Sequence, residues 1–336
     1  MMDITSLSTE QSAGQRLMIG FEGTELSRQL KFYIDTIKVG GVILFTRNIT
    51  DPEQITRLCR SIQDYARSCG QPPLFIAIDQ EGGTVARLKA PFTQFPGNPA
   101  MQDADDAAEF GRVTAAELAA IGVNMNMAPV LDVVPDGFAG IMADRAFGPD
   151  PDWVSELGLA VISHLQEQSI MAVAKHFPGI GRTTLDSHLD RPSLDAGFKD
   201  MDRFDLVPFK NAVAGNVAGV MLSHVMYTGM DDAWPASLSV EIAKNLLRKR
   251  LGFKNIILTD DLDMGAIVKY YDIQTVMEQI VAADIDITLI CHEGPKIEAA
   301  YEILLKRHAE KSAGEQGGIE VVRRILELKR RYLNLA

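Results

Sequence analysis

Several features that would identify a class of protein are scarce in this sequence of 336 residues. It has three cysteines, an odd number without the spacing of a zinc ligand set, so it favours neither a disulfide framework nor a metal site. No apolar run approaches the roughly 20 residues that span a bilayer. The N-terminus lacks the basic and apolar regions of a signal peptide. We therefore expect a cytoplasmic protein with reduced thiols.

Basic residues are also fewer than acidic ones. Lysine and arginine together number 33, against 45 aspartate and glutamate residues, and the formal net charge is −12. Nucleic acids and anionic membranes both favour a basic surface, so we expect neither as a partner. A small neutral substrate stays compatible with this balance. The sequence gives no indication of the oligomeric state.

Short apolar runs alternate with amphipathic segments along the chain. Valine and isoleucine are frequent in the runs, as expected of strands covered on both faces of a parallel sheet. The runs cover residues 16–21, 40–45, 74–79, 123–130, 171–177, 218–224, 255–261 and 286–291. Helical patterns cover residues 52–68, 103–122, 151–168, 240–252 and 317–336. Suitable N-cap residues are Asn48, Thr50 or Asp51, and Asp150.

Eight strands that alternate with helices predict an α/β fold, a (β/α)8 TIM barrel. A doubly wound open sheet is the main alternative, because a strand count from one sequence is uncertain. The chain shows no internal repeat or linker, so we expect a single domain over residues 1–336.

Polar residues concentrate where the apolar runs end. Those that follow a run directly are Asp79, Lys175, His176, His224, Asp260 and Asp261. The C-terminal ends of the strands carry the active site in barrels of this kind. The pattern therefore predicts one site built from several strands.

The segment KHFPGIGRTTLDSH, residues 175–188, carries two histidines on one Gly-rich loop. Asp186 and His188 are two residues apart, so in an extended stretch their side chains project to the same side. An aspartate beside an imidazole fixes its tautomer and supports its protonated form, which suits general acid–base catalysis near neutral pH. Gly179 and Gly181 suggest a mobile lid. The alternative is a pair of surface polar residues.

Three further motifs allow two interpretations each. AIDQEGGTVARL is either an acidic turn or a sugar-binding group, in which Arg87 pairs with one of the carboxylates and fixes its orientation. DRAFGPDP is more often a solvated loop, but it offers Arg145 to a site. In LTDDLDM, a strand-end aspartate can attack an electrophilic carbon. We expect one of Asp260 and Asp261 to face the barrel axis and the other to cap the next helix.

Together these segments resemble the family 3 glycoside hydrolases, in particular the single-domain β-N-acetylhexosaminidases of the NagZ type. The resemblance runs from about Gln15 to Asp261 and includes NMNMAPVLDV and DLVPF, in the order found in the family. It implies a barrel and retention of configuration through a covalent glycosyl-enzyme. Three residues depart from the common pattern, Thr84 in GGTVARL and Ile180 and Arg182 in PGIGR. They put the preference for the leaving group in doubt.

The resemblance also implies roles for individual residues. Asp260 matches the nucleophile and His188 the general acid/base, with Asp186 as its dyad partner. The substrate-binding positions are Asp79, Arg87, Arg145, Lys175 and His176. The implied substrate is a small carbohydrate or glycopeptide with a terminal non-reducing N-acetylglucosamine, as in peptidoglycan fragments of the cell wall. No cofactor and no metal are implied.

Other functions stay open at this stage. A β-glucosidase of the same family is a close alternative. A glycoside phosphorylase is another, because a histidine in the acid/base position tolerates a phosphate nucleophile better than a carboxylate would. A barrel amidohydrolase could use His176, His224 and Asp260 as metal ligands, although the chain lacks an early H-x-H pair. A sugar-binding barrel without catalysis is the non-enzymatic alternative.

Overall fold

A computed structural model describes residues 7–309 and 317–333. Eight parallel strands form a closed barrel, and each strand pairs with its neighbours in chain order. The strands are β1 (Leu17–Ile19), β2 (Gly41–Leu44), β3 (Phe75–Ile78), β4 (Met125–Asn126), β5 (Met171–Phe177), β6 (Gly219–Leu222), β7 (Ile256–Asp261) and β8 (Ile287–Ile290). The predicted (β/α)8 barrel is confirmed, and the open sheet is wrong because β1 pairs with both β2 and β8.

Helices cover the outside of the barrel. They are α1 (Thr9–Gly14), α2 (Arg28–Asp35), α3 (Pro52–Ser68), α4 (Ala104–Ile121), α5 (Pro151–Glu167), α6 (Phe198–Arg203), α7 (Leu206–Ala214), α8 (Gly265–Val268), α9 (Ile273–Ala282), α10 (Pro295–Ala309) and α11 (Gly317–Leu333). The segment Val240–Arg250 is a π-helix. All five predicted helical segments are found, and residues 334–336 lie outside the described residues.

Short strand pairs and 3-10 turns lie outside the barrel sheet. Gln80–Gly82 pairs with Val85–Ala86 in an antiparallel ribbon, and Ser193–Leu194 pairs with Met226–Tyr227 in parallel. Single 3-10 turns occur at Thr46–Asn48, Asn98–Ala100 and Ala236–Leu238. The two-stranded pairs are too short to appear in the periodicity of the sequence.

Aspartate side chains fix the beginnings of two long helices. Asp51 caps α3 by accepting a hydrogen bond from the amide of Gln54 at 2.7 Å, and Asp150 caps α5 by accepting one from the amide of Asp152 at 2.8 Å. Both predicted caps are confirmed. The prediction for Asn48 is wrong, because its buried side chain bonds to backbone groups of neighbouring loops instead.

The interior of the barrel is apolar, and one end is closed. Inward side chains such as Met18, Phe75 and Met171 form one cluster with residues of α11, including Ile325. The side-chain amine of Lys329, also on α11, donates to the carbonyl that precedes β2 at 2.8 Å. Helix α11 therefore covers the N-terminal ends of the strands, which leaves the C-terminal ends for a site.

Two strands are irregular where their polar residues begin. The pairing of β5 with β6 shifts register just before Phe177, and that of β7 with β8 shifts just before Asp261. An extra residue in one strand bends it and turns the neighbouring side chains to new directions. Lys175 and His176 lie in the first irregularity and Asp260 in the second.

Cys59, Cys69 and Cys291 are free thiols, as predicted. Among the residues that the structure describes, none of the helices combines the length and the apolar character needed to cross a membrane.

Candidate active site

A cavity of about 260 Å³ opens at the C-terminal ends of the barrel strands. Its lining includes Asp79, Arg87, Arg145, Lys175, His176, His188 and Asp260. Asp186 does not line the cavity and reaches it only through His188. Apolar side chains from the strands, such as Ile43, Met221 and Leu289, complete the wall. The residues singled out in the sequence therefore meet in one place.

Asp260 lies at the end of β7 with its side chain in the cavity wall. Its Oδ1 accepts a hydrogen bond from the amide of Asp261 at 2.8 Å. Burial is the strongest influence on the pKa of Asp260 and raises it, but His224, His176, this amide and Lys175 together lower the pKa below its ordinary value. The carboxylate is therefore ionised at neutral pH, as a nucleophile must be.

His188 is oriented by Asp186 on the loop after β5. One carboxylate oxygen of Asp186 accepts from both the ring Nδ1 of His188, at 2.7 Å, and its amide, at 2.9 Å. Burial of Asp186 raises its pKa, but these two hydrogen bonds outweigh that effect and the pKa is lowered. The segment is a turn, so the expectation of an extended stretch is wrong. The turn forms because aspartate bonds to its own backbone two residues on.

The imidazole of His188 is 68% exposed. Because Nδ1 bonds to Asp186, Nε2 is the nitrogen left to meet a ligand in the cavity. The Asp186 carboxylate favours the tautomer with the proton on Nδ1. The pair can therefore give up and regain a proton at Nε2.

Five charged side chains at the cavity form a continuous network of ion pairs. The ammonium of Lys175 lies 2.9 Å from Asp79 and 2.6 Å from Glu81. Arg87 donates to Asp79 at 3.1 Å, which confirms the predicted pairing. Arg145 holds both oxygens of Glu81, at 2.7 and 3.0 Å. Bidentate ion pairs of this kind fix side-chain geometry.

The network keeps its members charged. Burial disfavours the ammonium of Lys175, but Asp79 and Glu81 outweigh it and raise the pKa. Burial likewise disfavours the carboxylate of Asp79, but Lys175 and Arg87 hold its pKa well below the usual range. These fixed donors and acceptors suit the hydroxyl groups of a sugar. Glu81 is 2% exposed and acts beneath the cavity wall, a position that its place in an acidic turn does not reveal.

Asp132 is a functional candidate that sequence reasoning missed. It is fully buried, and its Oδ2 lies 2.8 Å from Nδ1 of His176. Its Oδ1 accepts from the amide of Ile180 at 2.7 Å. Asp132 therefore fixes the ring of His176 so that Nε2 points away from it. The signal available was its place after an apolar run, in NMNMAPVLDV.

His224 lies behind the nucleophile candidate, whereas Asp261 lines the cavity next to Asp260. His224 does not line the cavity, because Nδ1 contacts the Ser237 hydroxyl at 2.7 Å and Nε2 the carbonyl oxygen of Asp261 at 2.8 Å. Burial lowers the pKa of His224, although the neighbouring Asp260 opposes this effect. With both nitrogens engaged, His224 has none left for a metal. The amidohydrolase interpretation loses one of its three proposed ligands.

Asp261 supports the strand ends instead of capping a helix. Its Oδ1 accepts from the amides of Asp263 and Cys291, each at 3.0 Å, whereas the residue at the N-cap of α8 is Met264. The expectation of a helix cap is therefore wrong. Burial, with the adjacent negative charges of Asp263 and Asp260, raises the pKa of Asp261 to about 6.

Asp261, Asp263 and His292 are the one metal-compatible group of at least three such side chains found in the described part of the chain. The ammonium of Lys296 already contacts Asp263 there. A bound cation would have to displace that ammonium. The group also differs from the His176, His224 and Asp260 set that an amidohydrolase would use.

The loop glycines have a packing role that the sequence did not reveal, and the mobile lid stays a prediction. Gly179 has a φ of +121°, and a Cβ on it would lie 2.8 Å from the Cβ of Asp205. A Cβ on Gly181 would lie 2.0 Å from the carbonyl oxygen of Val133. Both distances are too short for a side chain. The glycines therefore allow this part of the loop to pack tightly against its neighbours.

Two of the residues that depart from the family pattern lie away from the cavity. Ile180 is buried beneath the loop. Arg182 forms ion pairs with Asp205 at 2.5 Å and Asp200 at 2.8 Å. Neither residue lines the cavity. Both changes therefore affect how the loop is anchored.

The chain was compared with known protein families and relatives. The model of the glycosyl hydrolase family 3 N terminal domain matches residues 8–328. The β-hexosaminidase of Nitrosomonas eutropha is 35% identical over 316 residues, which cover 91% of this chain and 88% of the relative. The β-hexosaminidase of Thiobacillus denitrificans is 38% identical over 299 residues, covering 86% and 81%.

Two solved structures superpose on this chain with the same fold. A family 3 β-N-acetylglucosaminidase from Paenibacillus sp. str. FPU-7 superposes with a TM-score of 0.93 at 36% identity. The match covers 98% of this chain but 64% of the Paenibacillus chain, so this chain spans less than two thirds of that protein. Native NagZ from Neisseria gonorrhoeae has a TM-score of 0.77 at 27% identity, covering 96% and 97%.

Proposed function

The chain belongs to glycosyl hydrolase family 3, and on that premise we propose that it is a retaining β-N-acetylhexosaminidase that removes terminal non-reducing N-acetylglucosamine. The names of its relatives, β-hexosaminidase and β-N-acetylglucosaminidase, support the choice of an N-acetylated sugar. The single observation that carries the proposal is that Asp260 and His188 line one cavity while Asp186 orients the imidazole.

The charged wall of the cavity would hold the terminal sugar. Lys175 and Arg145 would donate hydrogen bonds to hydroxyl groups, and Asp79 would accept them. Arg87 keeps Asp79 in place, and His176 adds a donor at Nε2. Because these groups are already paired and buried, they need little rearrangement when the sugar binds. Such preorganisation stabilises the transition state more than flexible side chains can.

The first chemical step would form a covalent glycosyl-enzyme. A carboxylate oxygen of Asp260 attacks the anomeric carbon while the bond from that carbon to the leaving oxygen breaks. Protonated His188 donates its Nε2 proton to the leaving oxygen. Asp186 stabilises the imidazolium before transfer. Most glycosidases of this kind use a carboxylic acid for the second role, and here an Asp–His pair would replace it.

The second step would release the sugar. Neutral His188 takes a proton from water, and the water oxygen attacks the anomeric carbon. The bond to Asp260 breaks and the carboxylate is restored. Two inversions at the same carbon leave the configuration unchanged. The enzyme needs no cofactor for this chemistry.

The biological setting is proposed from the same resemblance. We infer a single catalytic domain over residues 1–336, acting in the cytoplasm on small sugar or glycopeptide fragments of peptidoglycan. The apolar side of the cavity, with Ile43, Met221 and Leu289, offers contact surface to a compact sugar without a charge.

The activity is tested with nitrophenyl β-N-acetylglucosaminide and nitrophenyl β-glucoside, each with and without phosphate. We expect faster release of nitrophenol from the N-acetylated substrate, with no requirement for phosphate. Faster release from the glucoside would identify a β-glucosidase. A requirement for phosphate, with a sugar phosphate as product, would identify a phosphorylase. Either result would overturn the proposed activity.

A further inference from the structure

The two proposed catalytic groups lie on segments that follow or end different strands. The hydrogen bonds between the barrel strands therefore do not fix the distance between them. His188 lies on the loop after β5, Asp260 lies at the end of β7, and β6 stands between these strands. Residues 184–190 belong to no helix or strand. The loop therefore needs its own attachment to bring the imidazole to the nucleophile.

The attachment is the first turn of α8, which follows the nucleophile segment directly. The amide of Gly265 donates to the carbonyl oxygen of His188 at 3.1 Å, and that of Ala266 to the carbonyl oxygen of Ser187 at 3.0 Å. Amides in the first turn of a helix have no partner within the helix, so the loop carbonyls satisfy them. The backbone of His188 itself is held.

Side chains after this turn hold the end of the loop. The Lys269 ammonium donates to the carbonyl oxygen of Leu189 at 2.6 Å. The Tyr270 hydroxyl donates to the carboxylate of Asp190. Both contacts join the same two segments. The chain around α8 is therefore hydrogen-bonded to the loop from Ser187 to Asp190.

Gly265 sets how closely these segments approach. A Cβ atom on it would lie 2.6 Å from the carbonyl oxygen of His188 and 2.9 Å from that of Leu189. The neighbouring atoms are backbone, so no flexible side-chain end can move aside. The φ of Gly265 lies outside the left-handed region. The backbone conformation at residue 265 would therefore accept alanine. A side chain there is disfavoured only by the close contact with the backbone of the loop.

We propose that Gly265 is a positioning residue that fixes the acid/base imidazole of His188 relative to Asp260 through the contact of α8 with the His188 backbone. This inference rests on the proposed function. A methyl group at residue 265 would push the two segments apart, and a misplacement of about 1 Å at a reacting group lowers rates by about 10²-fold.

The test is Gly265→Ala, assayed on a disaccharide of N-acetylglucosamine and on a dinitrophenyl N-acetylglucosaminide. The disaccharide needs a proton on its leaving oxygen and the dinitrophenyl compound does not. We expect disaccharide turnover to fall about 10- to 100-fold, while single-turnover cleavage of the aryl bond stays near wild type. Azide, which needs no general base, should speed release of the sugar from the variant.

Gly197→Ala is the matched control. A Cβ on Gly197 would meet only the carbonyl oxygen of Gly229, at 3.8 Å, so both substrates should react as in wild type. Thermal unfolding checks that each variant folds. If Gly265→Ala does not fold, Tyr270→Phe carries the test, since it removes one loop contact and should shift the ratio of the two rates in the same direction.

The inference fails if folded Gly265→Ala loses both rates equally or neither, or if Tyr270→Phe leaves their ratio unchanged when it carries the test. His188→Ala in the same assays separates this failure from that of the proposed function. If His188→Ala also fails to discriminate between the substrates, the acid role of His188 is wrong. If it discriminates and Gly265→Ala does not, only the role of Gly265 is wrong.

Discussion

At the scale of single residues, the pairing of His188 with Asp186 explains how one side chain could serve two steps. The carboxylate fixes Nδ1 at 2.7 Å and leaves Nε2 toward the cavity. A neutral imidazole can accept a proton from water, and the imidazolium, stabilised by Asp186, can return one to a leaving group. Exposure of the ring lets it exchange protons with solvent between steps.

His188→Ala is predicted to separate substrates by their leaving groups. General acid catalysis contributes about 10²–10⁴-fold, so turnover of the N-acetylglucosamine disaccharide should fall by that order. Formation of the glycosyl-enzyme from the dinitrophenyl compound should change little. Steady-state and single-turnover rates on both substrates provide the measurement. His164→Ala, on the outer helix α5, is the control and should resemble wild type. Equal losses on both substrates would refute the acid role.

Residue types in the sequence identified the cavity lining but not the residues behind it. Lys175, His176 and Asp260 stand at strand ends, where position alone predicts a site. Asp132 and Glu81 act through contacts with residues distant in the chain, His176 and Arg145 among them. Such pairings arise only when the barrel closes. Local patterns in one sequence contain no record of them.

At the scale of helices and strands, the barrel leaves the C-terminal ends of its strands open for the site. Helix α11 closes the N-terminal ends, while irregular pairing in β5 and β7 turns polar side chains into the opposite end. The periodicity of the sequence predicted the eight strands and the long helices, because each buries a regular face. It did not predict the register shifts or the turn at Asp186. Both depend on hydrogen bonds between neighbouring segments or between a side chain and the backbone.

Lys329 on α11 gives a stability prediction. It is fully buried, and burial lowers its pKa well below the ordinary value. Its two acceptors, Gln15 at 2.6 Å and Gly40 at 2.8 Å, match the two N–H bonds of a neutral amine. Below the ordinary lysine pKa of about 10.4, the unfolded chain binds a proton that the folded chain resists. This residue therefore stabilises the fold less as the pH falls.

Lys329→Met removes that titration. Relative to wild type, the variant should gain free energy of unfolding as the pH is lowered from about 10 to neutral. Urea unfolding at the two pH values measures the difference. The exposed Lys199→Met is the control and should show no such trend. A variant destabilised by the same amount at both pH values would show that the buried amine is not the source.

At the scale of the whole molecule, the closed barrel brings together segments from Asp79 to Asp260 that are far apart in the chain. The eight-strand alternation made the fold predictable, and the order of the motifs made the family predictable. The mutual positions of the loop and α8 were not predictable. They depend on a glycine contact between residues about 80 positions apart, a packing relation that periodicity does not encode.

The most direct test of the account is to trap the glycosyl-enzyme. The protein is treated with a fluorinated N-acetylglucosaminyl substrate whose covalent intermediate hydrolyses slowly, then digested and analysed by mass spectrometry. We predict one sugar per chain, attached to Asp260, and no attachment in folded Asp260→Ala, which should also lack turnover. A sugar on another residue, or an unlabelled enzyme that still cleaves the N-acetylglucosaminide, would contradict the central claim that Asp260 is the nucleophile.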